Sequence, residues 1–243
     1  MVKKIVGTGV LLVLALALQA GVKMYTLKSP DGKVKLEVTA GQGIAYSLFY
    51  DGRLLLKPSR IALHTDLPEA DHWENIRITG TKQRHVSETV QAPFYRVKEF
   101  GIDCNELELR LNNGFSLLMR AYNDGMAYRF VAGRKGEMTV VEERAEFNFA
   151  DDFEAYIPYS TNPKDPWNMA FQNFYTKAPL TQYNTELPAF LPLTVDAGAV
   201  KLTLLESDLE AYPGMFVCGD GKTPALKGVF AAYPQETFKN KWR

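Results

Sequence analysis

Carboxylates are the most abundant chemically capable groups in this 243-residue chain, which carries 28 Asp and Glu side chains. One of them is marked out by its place in the local pattern. A strand-like run over 200–205 delivers Glu206 to a junction where Ser207 can cap a helical turn, Glu210 can answer it three residues later, and Pro213 ends it. A sheet edge of this kind can present a side chain to a partner, and Glu206 is therefore the candidate functional carboxylate. Nothing besides that position singles it out. Asp208, two residues on, could assist it; the other reading of Asp208 is a first-turn acid favoured by the helix dipole.

Other chemistries lack their residues. There is no GxSxG, no HExxH, no phosphate-cradling glycine loop and no EF-hand spacing. The three histidines, His64, His72 and His85, stand in no metal-ligand spacing with one another. His64 ends the apolar run Ile61-Ala62-Leu63, where an imidazole is structural or faces solvent. Glycosidic bond cleavage needs two carboxyl groups roughly 5 to 10 Å apart. No such pair can be picked from a chain so rich in acids, so no catalytic residue is assigned.

A second region with binding potential runs over 157–179. It holds Pro158, Pro163, Pro166 and Pro179 together with Tyr156, Tyr159, Trp167, Phe171, Phe174 and Tyr175. The prolines keep it out of regular structure, and the rings offer flat apolar faces. A pyranose can lay its C–H side on such a face while Asn162, Asn168 or Asn173 meets its hydroxyls. The alternative is a long loop that packs its rings on its own sheet.

The elements that must position these groups are strands. Val34, Leu36 and Val38 alternate with Lys33, Lys35 and Glu37, and Leu107, Leu109 and Leu111 alternate with Glu106, Glu108 and Arg110. Turn residues that tolerate positive φ fall between such runs: Asp31-Gly32, Asp51-Gly52, Asn112-Asn113-Gly114 and Asn123-Asp124-Gly125. Further strands are expected over 45–50, 115–119, 127–131, 146–149, 200–205 and 227–232. No fifteen-residue window carries a helical stripe, and 13 prolines and 18 glycines punctuate the chain. The fold class predicted is all-β, a large two-sheet antiparallel sandwich with few short helical turns. No repeat, low-complexity tract or linker marks a second domain.

Composition narrows the partners. With 46% hydrophobic residues the chain can bury a sizeable core, and its 28 basic residues balance its 28 acidic ones. No global field draws it to nucleic acid or an anionic membrane, so a neutral ligand is the better expectation. Residues 1–20 read as a signal peptide, with Lys3 and Lys4 before an apolar stretch over 10–18 and cleavage after Ala20, or after Ala17 as a second choice. That stretch is shorter than the ~20 residues a membrane span needs. The mature chain, 21–243, is expected to be periplasmic or secreted and free of the membrane after cleavage. Cys104 and Cys218 could form one disulfide or remain two buried thiols.

Four segments together resemble the N-terminal domain of glycoside hydrolase family 97, a family of exported bacterial α-glucosidases and α-galactosidases. They are Ser29-Pro-Asp-Gly-Lys33, residues 46–59 around Asp51-Gly52, residues 120–130 around Asn123-Asp124-Gly125, and residues 204–215 around Glu206. The first two are generic hairpin language; the last two together are more specific. The resemblance implies a galactose mutarotase-like super-sandwich packed against a (β/α)8 barrel that carries the catalytic acid and base or nucleophile. It also implies a calcium ion beside the sugar with one glutamate ligand from the sandwich, which the motif places at Glu206. Calcium takes six to eight oxygens, so one glutamate cannot hold it alone and the barrel would share it, in cis or in trans. The chain stops at Arg243 before any barrel, so hydrolysis of an α-linked oligosaccharide by this chain alone is not expected. The alternative is a free-standing carbohydrate-binding module that uses the aromatic loop. A mutarotase-like epimerase would need a histidine acid and a carboxylate base in one groove, and the three histidines match no such motif.

Overall fold

The computed structural model describes residues 23–167, 171–207, 209 and 212–232. The leader at 1–20, the end of the chain at Trp242-Arg243, and Asn168, Asp208 and Glu210 lie outside the described residues. Nearly all the regular structure is antiparallel strand, and the architecture is a β-sandwich fold. Two compact units divide the chain between Ala145 and Glu146.

The first unit opens with β1 (Lys23–Lys28), β2 (Val34–Gly41), β3 (Gly43–Tyr50) and β4 (Arg53–Thr65), a meander in which each strand pairs with the next. A second meander follows: β5 (Ile78–Gln91), β6 (Glu99–Leu111), β7 (Phe115–Tyr122) and β8 (Gly125–Ala132). The alternation in the sequence is the alternation of burial. Leu36, Val38, Leu109 and Leu117 are fully enclosed between the two sheets, and their polar neighbours face out. Aromatic residues fill the space between the layers: Tyr46 meets Tyr128, and Trp73 meets both Phe115 and Phe130. The indole Nε1–H of Trp73 donates to the Leu63 carbonyl at 2.9 Å, so its one polar atom is satisfied inside the core.

The turn motifs clamp this unit. Ser29 Oγ donates to Asp31 Oδ1 at 2.7 Å and accepts from the Val34 N–H at 3.0 Å, while Gly32 takes φ +77. The next link reaches across the sandwich. Asn123 Oδ1 accepts the Asp31 N–H at 3.0 Å, 92 residues away in sequence, so the β7–β8 turn holds the β1–β2 turn in place.

β9 (Val140–Asn148) runs through the division. Its first part pairs with β4 and its last three residues, from Glu146, pair with β15 (Ala225–Phe230). The second unit further contains β10 (Glu154–Ile157), β11 (Thr176–Pro179), β12 (Leu193–Ala197), β13 (Val200–Leu204) and β14 (Met215–Gly219). β10 is flanked by β11 and β12, β13 pairs with β12, and β14 pairs with β15. Ala155, Ile157, Leu193, Val195 and Val217 are wholly buried. Tyr183 anchors this core: its hydroxyl donates within reach of the Leu187 and Val217 carbonyls at 3.0 and 2.7 Å. Cys104 and Cys218 are both free thiols.

Candidate functional site

Glu206 stands two residues beyond the end of β13, at the junction expected from the sequence. Its carboxylate reaches back to the start of β14, where Oε2 accepts the Met215 N–H at 2.7 Å. This bond ties the end of β13 to the start of β14. It also supplies the partner that the first backbone amide of β14 requires. A Cβ built on Gly214 would stand 3.4 Å from Oε1, so glycine there leaves the approach to that oxygen unfilled. The capping turn expected at Ser207 involves Glu210, which lies outside the described residues.

The electrostatics of Glu206 are unusual for a glutamate. Burial raises its carboxyl above the ordinary glutamate range, and the Met215 N–H opposes this only in part. Among the described residues no cation is recorded beside it. Its neighbours Leu205 and Leu209 are 68% and 47% exposed, so a half-buried acid is bordered by apolar side chains that face water. A divalent cation would suit such a carboxylate. It would favour the ionised form, and one oxygen is already held in place by a backbone donor. No cluster of three or more His, Cys, Asp or Glu able to hold a metal occurs among the described residues. Glu206 would supply such a cation with one ligand.

The aromatic loop lies in the same unit, between β10 and β11. Its rings form a continuous row with Phe216 of β14 and with Phe190, which follows the isolated bridge residue Ala189. Trp167 packs on Phe216 at 5.0 Å between centroids, Phe216 on Phe190 at 4.7 Å, Phe190 on Phe171 at 5.7 Å and Phe171 on Tyr175 at 5.1 Å. Asn162 Oδ1 holds the Lys164 N–H and Asn173 Oδ1 holds the Phe174 N–H. Each amide thus uses its acceptor to shape its own turn.

Two of the histidines are held by neighbouring side chains. His64 Nδ1 lies 2.6 Å from Asp71 Oδ1 and its ring meets the edge of Trp73, while His85 is tied to Asn105 and Asp103. Sequence reasoning passed over one carboxylate that the structure makes prominent. Glu106 is buried on the outward side of β6, with Arg84 Nε at 2.7 Å from one oxygen and Arg120 Nε at 2.8 Å from the other. The cross-strand register, Arg84 opposite Glu106 and Glu106 opposite Arg120, makes the triad. The alternation of Glu106 with Leu107 was the available signal, though it could not supply the register.

Comparison with known proteins bears on this geometry. A family model described as glycosyl-hydrolase 97 N-terminal matches residues 27–243. A retaining alpha-galactosidase of Bacteroides thetaiotaomicron is 39% identical over 229 residues, which cover 91% of this chain and 34% of that protein. A probable retaining alpha-galactosidase of Streptomyces bingchenggensis is 26% identical over 158 residues, or 63% of this chain and 24% of that protein. Among solved structures, a glycoside hydrolase family 97 enzyme from Pseudoalteromonas sp. strain K8, in complex with panose, shares the fold with a TM-score of 0.70 at 18% identity, covering 85% of this chain and 32% of that one. The chain spans about a third and about a quarter of the length of the two curated relatives it matches.

Proposed function

Because the chain belongs to the glycosyl-hydrolase 97 N-terminal family, we propose that it serves as the non-catalytic partner of a (β/α)8 barrel in an exported α-glycosidase, where it helps to shape the sugar site and donates Glu206 to a calcium ion shared with the barrel. The observation that carries this reading is the state of Glu206 itself. It is a half-buried carboxylate raised by burial, locked to the Met215 amide, without a recorded cation and bordered by exposed Leu205 and Leu209. An acid left in that state fits a surface that another body completes.

Calcium bound there would supply fixed positive charge near the reacting sugar. The chain's own part is to fix the angle of one carboxylate oxygen through the Met215 N–H and to keep the other approachable beside Gly214. The substrate in this reading is an α-linked oligosaccharide, and the cleaving residues belong to the barrel. Export to the periplasm or medium rests on the leader at 1–20.

A chimera tests the proposal. This chain would replace the matched third of the Bacteroides retaining alpha-galactosidase, with and without Glu206→Ala. The expected result is calcium-dependent hydrolysis of an α-galactoside, with kcat/KM falling at least about tenfold in Glu206→Ala and partly restored by excess calcium, since one lost ligand removes on the order of 1.4 kcal/mol or more. Equal activity and equal calcium dependence in both chimeras would sink it.

A further inference from the structure

Past the pair of Val86 and Cys104, β5 and β6 leave their sheet as a two-stranded arm. β7 pairs with β6 no further than Cys104, yet β5 and β6 continue through five more pairs, from Ser87 opposite Asp103 to Gln91 opposite Glu99. At about 3.4 Å per residue the arm is about 17 Å long. A tip over 92–98 closes it, with the Ala92 N–H donating to the Lys98 carbonyl at 2.7 Å. Between 87 and 101 every residue except Ala92 is exposed. Two strands without a third are marginally stable in water, so an arm of this length gains from a surface to lie on.

The two faces of the arm differ, and their polarity is the reverse of the sheet's. Within the sheet the odd positions of β6, Leu107, Leu109 and Leu111, face the core. Carried into the arm by the two-residue period, that side bears Asp103, Gly101 and Glu99, with Ser87, Thr89 and Gln91 opposite them. The other side bears Ile102 and Phe100, with Glu88 and Val90 opposite. Phe100 is 44% exposed, and at the tip Phe94 and Tyr95 are 96% and 69% exposed. Packing on this unit's own core cannot explain these groups, because they stand on the side turned away from it. Clustered exposed apolar side chains of this kind mark an interaction surface.

Geometry selects the occupant. An arm inserted in a bilayer would meet lipid on both faces and carry Gln91, Glu99 and Asp103 in with it, so the polar face argues against a membrane. The apolar face measures about 17 Å by about 10 Å, and the two tip rings add roughly 150–250 Å² each. That falls short of the ~800 Å² per partner that holds two free proteins together, which argues against a second copy. A body joined to the same chain needs far less contact, because the linkage supplies a high effective concentration. The Bacteroides relative has such a body: the match covers 34% of it, so about two thirds lies beyond.

Resting on the family reading above, we infer that the β5–β6 arm is a docking arm for the barrel, with the Val90–Phe100 face laid along the barrel's surface and the Phe94 and Tyr95 rings seated on it. The contact is apolar and operates without calcium and without Glu206.

Trypsin reads the arm directly, because Arg96 and Lys98 stand at its tip. The chain by itself should be cut there first, at a rate unchanged by raising its concentration about tenfold or by adding vesicles of anionic phospholipid. In the chimera with the Bacteroides retaining alpha-galactosidase, cutting at these two sites should slow at least about tenfold, and Phe94→Ser combined with Tyr95→Ser should restore most of it. Glu206→Ala should leave the protection in place. In the chain alone the same double variant should hold its melting temperature within about 2 °C of wild type, as exposed positions do. These melts do not depend on the chimera folding. Equal cutting of chain and chimera, or a larger drop in the melt, would overturn the inference. Slower cutting of the chain alone at high concentration or on vesicles would overturn it too, in favour of a second copy or a lipid surface. The calcium reading fails if the chimera's activity ignores calcium and Glu206, which leaves the tryptic protection intact. The arm fails if a calcium-dependent chimera is cut as fast as the chain.

Discussion

Two glutamates separated by one hundred positions face opposite electrostatic situations. Glu106 is 6% exposed, and Glu206 is half-buried. Burial by itself would raise both. At Glu106 the hydrogen bonds and charges of Arg84 and Arg120 overcome that cost and hold the carboxyl below the usual glutamate range. At Glu206 a single backbone N–H is too little, and burial prevails. The first acid is completed by its own sheet, and its role ends in stabilising that sheet. The second has its geometry fixed by the Met215 N–H, and no compensating charge is recorded beside it among the described residues.

The contrast can be broken most sharply by truncation. Glu106→Ala should cost about 1–3 kcal/mol in urea unfolding, because it leaves the partly buried Arg120 without its acceptor. Glu206→Ala should cost about 1 kcal/mol or less, the loss of one hydrogen bond on a part-exposed loop. Equal losses would mean that both acids are structural.

Acidification gives a smaller and oppositely signed pair of effects. The stability contributed by Glu106 is present above the ordinary glutamate range and is lost as pH falls through its depressed value. That of Glu206 is fully present below its unfolded value and is lost as pH rises through its raised one. Compared with Gln at the same position, wild type should therefore lose ground at Glu106 on going from neutral to acid pH, and gain ground at Glu206. Thermal melts of both Gln variants across that range measure the two slopes, and slopes of the same sign would dissolve the comparison.

The smallest effect is the most specific. Glu206→Gln keeps an oxygen for the Met215 N–H and removes the charge, so near neutral pH its melting temperature should match or slightly exceed wild type. A clear drop would show that the charge is already compensated within the chain.

The strands were legible wherever one face is wet and the other dry. The Val34, Leu36, Val38 series and the Leu107, Leu109, Leu111 series predict β2 and β6, because inward positions have no tolerance for polar residues. β5 escaped the same logic. Among its fourteen residues only Val86 is buried, so no alternation was imposed on it. β10 and β11, four residues each, are too short to show a period. The division between units leaves no composition signal because it falls inside β9, not in a linker. At the site, the junction holding Glu206 could be read because a strand ends before it. Its bond to Met215 could not, because that depends on where β14 lies in space. The row of rings was equally hidden, since Phe190 and Phe216 are brought together by a bridge formed across 28 residues of chain.

The hydrogen bond from the Asp31 amide to Asn123 has a consequence for the order of events on the ribosome. The first hairpin emerges early, but the side chain that secures its turn is encoded 92 residues later. At about 5–20 residues per second, roughly 5–20 s of synthesis separate the two. During that interval the first turn has only its local Ser29 and Asp31 bonds to hold it. The arrival of the Asn123-Asp124-Gly125 turn is the moment at which the nascent first unit can lock.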